Sequence, residues 1–280
     1  MKILLTGSTS FVGRNILEQL RKKYHFLAPS HTELDLTDTQ LVRDFFSSHP
    51  IDIVIHCAHV GRYGRVHHIQ DAVEKNLKMF FNILANKGKF RKVIHFGSGA
   101  EYDKSKPIVR VGEEAFGKRI PSDQYGFSKY LCSLYAEYLE NIVVLRLFAV
   151  YGKYEDYTTR FISDSLSRTA LGLPIVINKN AVFDYLYVND FIKILDFFIT
   201  HTTKDKSYNV GRGKPIDLLT IARMIQNIAN NKSKILINEK GFSNEYTCDN
   251  SSLMREMPSF RFTRMEKSLK ELYMWYKSIK

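Results

Sequence analysis

The chain has 280 residues, of which 44% are hydrophobic and 25% are charged, as expected of one large folded domain or one domain with a smaller appendage. No apolar run reaches membrane-spanning length, so we expect no membrane partner. The net charge is +12, but the lysines and arginines are scattered and form no basic stripe interleaved with aromatic residues, so we expect no nucleic-acid partner.

The N-terminus and the cysteines bear on the cellular location. The opening MKILLTGSTS has only a short apolar run before Thr6, which is typical of a first strand and turn rather than a signal peptide. The cysteines Cys57, Cys132 and Cys248 have no metal-binding or redox spacing. We therefore expect a cytoplasmic protein that binds no metal.

The first half of the chain alternates apolar strands with amphipathic helices. The predicted strands cover residues 2–6, 25–28, 52–57, 92–96 and 142–148. The predicted helices cover residues 11–24, 38–48, 70–88 and 124–140. This alternation predicts an α/β fold with a Rossmann-type, doubly wound parallel sheet.

The second half has a looser pattern, with more aromatic residues and fewer expected strands. The predicted helices lie near residues 159–172, 189–200, 217–230 and 265–279. We predict a dinucleotide-binding domain over 1–152, to which 183–210 returns, and a smaller C-terminal α/β substrate-binding portion over 153–280. Residues 101–122 and 238–250 are linker candidates, although neither is long enough to separate independent domains.

The segment TGSTSFVG follows the first predicted strand directly. Gly7 permits a tight turn from strand to helix, and Gly13 permits close packing of the helix on the sheet. Ser10 stands where the dinucleotide fingerprint usually has its middle glycine. Phe11 and Val12 begin the helix, whose free N–H groups can bind a pyrophosphate. We therefore predict a dinucleotide cofactor at this turn.

The segment after the second strand bears on the choice of cofactor. Ser30 and His31 stand at the strand end, where an acid commonly holds the ribose hydroxyls of NAD. Arg14, just past the turn, is a candidate to face a 2′-phosphate, so we favour NADP(H), with NAD(H) as the alternative. Asp35 and Leu36 come too late for the ribose and are predicted to frame the adenine, with a plain loop carboxylate as the alternative for Asp35.

The stretch DQYGFSKY places Tyr125 and Lys129 four positions apart, hence on one face of the predicted helix. A cation beside a phenol favours the phenolate, and such a phenol can exchange a proton with a sugar hydroxyl or ketone. By itself the spacing also fits an ordinary surface contact.

Further motifs follow at regular intervals along the chain. Besides the glycine turn they are LDL (34–36), HCAHVG (56–61), FGSGAEYD (96–103), YGFSK (125–129), LRLFAVYG (145–152), FDYLYVNDFIK (183–193) and YNVGRGKPIDLLTIA (208–222). With these motifs the chain resembles the extended short-chain dehydrogenase/reductase family, whose members modify nucleotide sugars. Over residues 31–61 it is most similar to the GDP-fucose synthase-like 4-ketoreductases of that family.

The resemblance implies the catalytic roles. Tyr125 is expected to donate or accept the proton, and Lys129 to stabilise the phenolate and hold the nicotinamide ribose. Ser98, at the end of the fourth strand, is expected to form a hydrogen bond with the reacting oxygen.

The resemblance also implies further residues at the cofactor. Ala58 is expected to let the cofactor approach the sheet, and Asn76 to buttress the centre, with mere packing as the alternative for both. Phe148 and Ala149 are expected to line the nicotinamide through backbone atoms.

The choice among the family's reactions depends on residues that are missing. The family's dehydratases have an Asp–Glu pair after the catalytic hydroxyl residue, where this chain has Gly99 and Ala100. Ala100 also holds the position of the epimerising cysteine, and residues 151–161 contain no histidine. We therefore expect an NAD(P)H-dependent reductase of a nucleotide-linked 4-keto(-6-deoxy) sugar, in the biosynthesis of surface-polysaccharide sugars. The alternatives are a nucleotide-sugar 4-epimerase with tightly bound NAD and, less favoured, a non-catalytic dinucleotide-binding scaffold.

The substrate side is harder to read. Phe183 stands where the family commonly has an arginine that meets the substrate diphosphate. The candidate substrate-binding residues are Arg160, Lys179, Arg212, Arg255 and Tyr246, the last of which is expected either to stack on the base or to pack in the core. The apolar faces of the helices near 70–88 and 124–140 are expected to form a homodimer interface, with packing on the sheet as the alternative.

Overall fold

The computed structural model describes residues 1–61, 71–230 and 233–279. The strands are β1 (Lys2–Thr6), β2 (His25–Leu27), β3 (Ile53–His56), β4 (Lys92–Ser98), β5 (Ile108–Val111), β6 (Ile142–Leu147), β7 (Val150–Tyr151), β8 (Ile175–Asn180), β9 (Val182–Phe183), β10 (Leu186–Tyr187), β11 (Ser207–Val210), β12 (Ile216–Asp217), β13 (Ile235–Phe242) and β14 (Tyr246–Cys248). The helices are α1 (Phe11–Leu20), α2 (Thr39–Ser48), α3 (Ala72–Leu84), α4 (Gln124–Ala136), α5 (Phe161–Ala170), α6 (Val188–Thr200), α7 (Leu218–Ala229), α8 (Ser251–Glu256) and α9 (Met265–Ser278).

The central sheet has six parallel strands in the order β11-β6-β4-β3-β1-β2. The chain starts at β1, moves to β2 on one side and then to β3 on the other. The loops after β1 and β3 therefore separate at the carboxyl edge, which is where open α/β sheets bind ligands. The predicted Rossmann-type α/β class is confirmed.

Alternate residues of the strands pack on opposite faces of this sheet. Ile3 and Leu5 of β1 are buried in a core with α1 and α6, whereas Leu4 is buried in a second core with α2, α3 and α4. A strand covered by helices on both faces is apolar throughout, which is why KILLT reads as a continuous run.

Side-chain caps fix where four of the helices begin. The side chains of Ser10, Asp38, Asp123 and Asp217 each accept a hydrogen bond from a backbone N–H in the first turn of α1, α2, α4 and α7. The cap at Asp123 fixes the start of α4 directly before Tyr125.

The second half contains more strands than we expected. It adds a four-stranded sheet in the order β12-β9-β14-β5 and the pairs β10-β7 and β13-β8. Both linker predictions are wrong, because residues 101–122 contain β5 and residues 238–250 contain β14, and these two strands pair in parallel. Strands as short as these show no periodicity in the sequence, and β5 and β14 lie more than a hundred residues apart in the chain.

The predicted helix near 70–88 is α3, and residue 70 lies outside the described residues. Within the described residues, no helix is both long and apolar enough to cross a membrane. The same residues contain no group of three His, Cys, Asp or Glu side chains arranged to hold a metal ion.

Candidate active site

The turn after β1 has the form that a dinucleotide requires. Gly7 has a φ of +68°, and a Cβ there would lie 2.8 Å from the backbone nitrogen of Ala58. A Cβ at Gly13 would lie 2.2 Å from the carbonyl oxygen of Gly7. Ser10 replaces the usual middle glycine because its side chain caps α1, accepting from the Gly13 N–H at 3.1 Å. The open N-terminus of α1 and the close backbone approach therefore fit a pyrophosphate.

An acid that we did not predict lies at the end of β2. The carboxylate of Glu33 folds back and accepts hydrogen bonds from the backbone N–H of Ser30 at 2.7 Å and from its hydroxyl at 2.8 Å. The signal in the sequence is the Ser-x-x-Glu spacing of a capping box, in which the glutamate returns to the residue three positions earlier. The strand end therefore carries a negative charge.

The other residues predicted for the adenosine end of the cofactor differ in their exposure and contacts. His31 is exposed and lies 4.0 Å from Asp35, whose carboxylate accepts from the Thr37 N–H and so closes a turn. Leu36 is buried in the core with α2 and α3. The Arg14 guanidinium is stacked 3.9 Å from the ring centre of Tyr154, beyond β7. This stacking supports a packing role for Arg14, and its 2′-phosphate role stays a prediction.

Tyr125 and Lys129 lie on α4, beside the carboxyl end of β4. Lys129 is buried, and its ammonium donates to the carbonyl oxygen of Phe96 at 2.6 Å. Beside it lie His56 and His95, which are also buried. Burial, and next the charge of Lys129, lower the pKa of His56 to about 3 and lower that of His95 well below its ordinary value. Both imidazoles are therefore neutral, and Lys129 carries the positive charge of this group.

Asn76 of α3 connects the loop after β3 to α4. Its side-chain oxygen accepts from the Val60 N–H at 2.7 Å, and its amide donates to the Val60 carbonyl at 2.8 Å and to the Ser128 hydroxyl at 3.3 Å. Ala58, in the same loop, donates its N–H to Thr6 Oγ1 at 3.2 Å. Asn76 thus connects the loop after β3 to the residue next to Lys129, and its role at the catalytic centre stays a prediction.

Ser98 ends β4 and caps the short 3₁₀ turn that follows. Its Oγ accepts from the Ala100 N–H at 3.1 Å. Its own N–H donates to the Glu101 carboxylate at 2.7 Å, and Arg146 donates to the same carboxylate at 2.7 Å. The side chains of Glu101 and Arg146 are both 0% exposed. Glu101 is thus fixed in a buried ion pair behind Ser98.

A second cation missed in the sequence lies beside Tyr125. The Lys104 ammonium is 5.6 Å from the ring centre of Tyr125 and 3.8 Å from the Asp123 carboxylate. Burial lowers the pKa of Lys104 to about 8, while Asp123 opposes and Arg160 adds to this effect. Arg160 directly precedes α5 and lies close enough to act electrostatically on both Lys104 and His59. Arg160 therefore lies in the neighbourhood of Lys104 and His59, and its contact with substrate stays a prediction.

Most of the chain matches a known protein family. The family model described as the NAD dependent epimerase/dehydratase family matches residues 3–211. The chain belongs to this family. The resemblance drawn from the motifs is confirmed, and the nicotinamide dinucleotide predicted from the glycine turn agrees with the family's NAD dependence.

Relatives within this family modify nucleotide-linked sugars. A GDP-L-colitose synthase of Yersinia pseudotuberculosis is 24% identical over 258 residues, which cover 81% of this chain and 82% of that protein. A GDP-mannoheptose C4 reductase from Campylobacter jejuni, solved with NADP bound, aligns with a TM-score of 0.85 and 18% identity over 99% of this chain and 98% of that one. A UDP-glucose 4-epimerase from Thermotoga maritima aligns with a TM-score of 0.85 and 19% identity over 100% and 99%. The structural likenesses show that the fold is shared.

The epimerase/dehydratase fold brings only some of the predicted substrate residues to the catalytic group. Lys179 pairs with Glu239 at 3.6 Å, and Arg255 donates to Ser252 at 2.9 Å. Neither is hydrogen bonded to a catalytic residue within the described parts of the chain. The Arg212 N–H donates to Asp184 at 2.7 Å, and its Nε is buried without a hydrogen-bond partner among the described residues.

Tyr246 had two expected placements, stacking on the base or packing in the core, and its ring contacts agree with packing. Tyr246 packs its ring on Phe148, with centres 4.9 Å apart, and on Phe183 at 6.0 Å. It therefore packs, partly buried, against the cluster that contains Phe148 and Tyr102. Phe148 is fully buried, and the carbonyl of Ala149 accepts from the Leu186 N–H at 3.2 Å. Contact of these two residues with the nicotinamide stays a prediction.

The arrangement can perform acid–base chemistry at a carbonyl. Ser98 presents a hydroxyl, Tyr125 a phenol and Lys129 a buried cation at the carboxyl edge where the fold binds its dinucleotide. The chain is an oxidoreductase-type enzyme of this family.

Proposed function

We propose that the protein is an NAD(P)H-dependent reductase of a nucleotide-linked 4-keto(-6-deoxy) sugar, in the biosynthesis of surface-polysaccharide sugars. The observation that carries the proposal is the contrast between two groups of residues. Ser98 at the end of β4 and Tyr125 and Lys129 on α4 supply a hydroxyl, a phenol and a cation, whereas Glu101, whose carboxylate accepts from the Ser98 N–H, is fixed by Arg146. The site thus has what ketone reduction needs.

The immobilised Glu101 argues against dehydration. Loss of water from a 4-keto sugar needs a base and an acid that can reach the adjacent carbons. Glu101 accepts from the Ser98 N–H and from Arg146, and it is fully buried. The two positions before it, Gly99 and Ala100, carry no titratable group.

The proposed mechanism assigns one task to each residue. The nicotinamide cofactor, when bound, supplies a hydride to the carbonyl carbon. Ser98 donates a hydrogen bond to the carbonyl oxygen, on which negative charge develops. Tyr125 delivers the proton that completes the alcohol, and Lys129 stabilises the phenolate that remains. Hydride and proton together account for the two hydrogens added to the ketone.

The relatives support reduction but also keep the alternative in view. The C. jejuni enzyme is named a C4 reductase, and the T. maritima enzyme is named a 4-epimerase. An epimerase that passes through a transient ketone uses the same Ser, Tyr and Lys, so it remains the second candidate. It differs in keeping its NAD bound, whereas a reductase releases its oxidised cofactor after every turnover.

One observation supports NADP(H) as the cofactor and another opposes it. NADP is bound in the C. jejuni neighbour, which supports NADP(H) here. The Glu33 carboxylate, bonded to Ser30, opposes it because a 2′-phosphate would meet a negative charge. We keep NADP(H) as the proposed cofactor, with NAD(H) as the alternative that Glu33 favours.

We also propose a homodimer formed through α3 and α4. Three aromatic side chains lie exposed on and next to these helices: Phe81, Tyr135 and Tyr138. The rings of Phe81 and Tyr135 are 4.9 Å apart and form a continuous apolar surface across the two helices. Burial against a second copy would remove that surface from water. The division into residues 1–152 and 153–280, and the cytoplasmic location, remain part of the same proposal.

The test measures NADPH oxidation with a panel of nucleotide-linked 4-keto-6-deoxyhexoses, with NADH in parallel. We expect stoichiometric oxidation by the wild-type protein and a loss of about 10²- to 10⁴-fold in kcat for Tyr125→Phe. The matched control is Tyr135→Phe, which removes a phenol from the exposed face of the same helix.

Other outcomes separate the alternatives. No oxidation, with NAD released on denaturation, would support the epimerase. Unchanged turnover in Tyr125→Phe would contradict both enzymatic readings and favour the non-catalytic scaffold.

A further inference from the structure

Tyr246 reaches the catalytic group from the far end of the chain. Strand β14 carries it into the second sheet, where it pairs with Ile108 of β5 and Phe183 of β9. Its ring is held on Phe148, and its hydroxyl lies beside the side chain of Ser98. The hydroxyl also lies close enough to Tyr125 for the two phenols to interact electrostatically.

Gly99 makes room for this phenol. A Cβ at Gly99 would lie 2.6 Å from the Tyr246 hydroxyl oxygen and 2.5 Å from the ring of Phe148. Any side chain there would displace one of the two rings. The absence of a side chain after Ser98 therefore has a local purpose in this chain, because the space is filled by Tyr246.

The hydrogen bonds around Ser98 determine where its proton can point. Ser98 Oγ already accepts from the Ala100 N–H at 3.1 Å. Burial raises the pKa of Tyr246 far above its ordinary value. The neighbouring Ser98 side chain lowers this pKa, and the electrostatic interaction with Tyr125 raises it further. Tyr246 is therefore a protonated donor throughout the working pH range. A hydroxyl oxygen accepts two hydrogen bonds and donates one.

We propose that Tyr246 is a positioning residue, which donates its hydrogen bond to Ser98 Oγ and thereby directs the Ser98 proton at the carbonyl oxygen of the substrate. With Ala100 and Tyr246 both donating to it, Ser98 Oγ has no acceptor capacity left. Its own O–H then has one remaining direction, toward the open side where the ketone binds. This inference rests on the proposed function, since it concerns the hydrogen bond made to the reacting oxygen.

The test is a double-mutant cycle with Tyr246→Phe and Ser98→Ala, using the substrate on which the wild-type protein acts. Tyr246→Phe keeps the ring on Phe148 and removes only the hydroxyl. We expect kcat to fall about three- to tenfold with little change in KM, because one hydrogen bond that acts in the transition state is lost. In the Ser98→Ala background the same change should have almost no further effect on kcat.

The matched control is Tyr102→Phe. Tyr102 is also buried near Phe148, at 6.4 Å between ring centres, but its hydroxyl donates to Asn209 at 2.8 Å and not to Ser98. We expect kcat to be unchanged in this variant. NAD(P)H affinity, measured by fluorescence titration, should be equal in all the variants and shows that each is folded.

Several results would overturn the inference. A wild-type kcat in Tyr246→Phe, or losses that multiply in the double variant, would show that Tyr246 only packs in the core. These results are distinct from failure of the proposed function, in which Tyr125→Phe would also turn over normally. An epimerase is tested by the same cycle, because its Ser98 faces the same sugar oxygen. If the wild-type protein turns over none of these sugars, the proposed function and this inference both fail.

Discussion

The buried pair between Glu101 and Arg146 leads to a prediction about stability. Glu101→Gln keeps the shape of the side chain but removes its charge, and it leaves the buried guanidinium with only the exposed carboxylate of Glu137, 3.9 Å away, as an ionic partner. The pair is joined at 2.7 Å, and both side chains are 0% exposed. Removing one partner of such a pair costs about 3–5 kcal/mol in the free energy of unfolding. We expect a loss in this range for Glu101→Gln.

Urea unfolding followed by circular dichroism measures this loss. With an m value of about 3 kcal/mol per molar urea, the midpoint should fall by about 1 M or more. The matched control is Glu137→Gln, whose carboxylate lies 3.9 Å from the same guanidinium but is 44% exposed. An exposed partner contributes at most about 1 kcal/mol, so this midpoint should shift little.

A third variant separates the charge from the packing. In Glu101→Gln with Arg146→Met, no buried charge is left, so stability should recover substantially from that of Glu101→Gln alone. Equal midpoints for wild type and Glu101→Gln would refute the reasoning, because the carboxylate would then not be committed to Arg146. The argument against a dehydratase would weaken with it.

Three further predictions concern the cofactor, the dimer and pH. Glu33→Gln removes the charge beside Ser30, so the ratio of kcat/KM for NADPH over NADH should rise about fivefold, a change of about 1 kcal/mol. Asp44→Asn, on the exposed face of α2 where the carboxylate accepts from Gln40, should leave that ratio alone. An unchanged ratio in Glu33→Gln would place the acid outside the ribose site. Phe81→Glu should convert the dimer to a monomer, as measured by light scattering. Leu171→Glu, at an exposed position at the end of α5, should leave the dimer intact. A monomeric wild-type protein would contradict the proposed interface. Burial raises the pKa of Glu155 from 4.5 to about 8, against the hydrogen bond from Ser163 and the charge of Arg160. The folded state therefore holds a proton that the unfolded state releases, and this contribution to stability is present below pH 4.5 and lost as pH rises through 8. Glu155→Gln should flatten this decline in urea titrations, and an identical pH dependence in both proteins would show that Glu155 is ionised when folded.

The sequence by itself determined most of the central sheet and indicated the residues that we propose as catalytic. A central parallel strand is apolar on both faces, and a helix that covers it is apolar on one, so the first half can be read from local periodicity. Gly7 and Gly13 were identified for the same reason, because a tight turn directly after a strand is a local constraint. Ser98, Tyr125 and Lys129 were found through motifs that span only a few residues each.

Only the tertiary structure decided what surrounds those residues. Tyr246 lies beside Ser98 because β14 pairs with β5. Both strands are so short that their sequences do not indicate which strand each will pair with. Glu101 is held in a buried ion pair by Arg146, which is 45 residues away in the sequence and lies on the strand next to β4. Local sequence fixes the backbone of each segment, but contacts between distant segments depend on how the short strands pair. The hydrogen bonds that direct the Ser98 proton are therefore set by the fold as a whole.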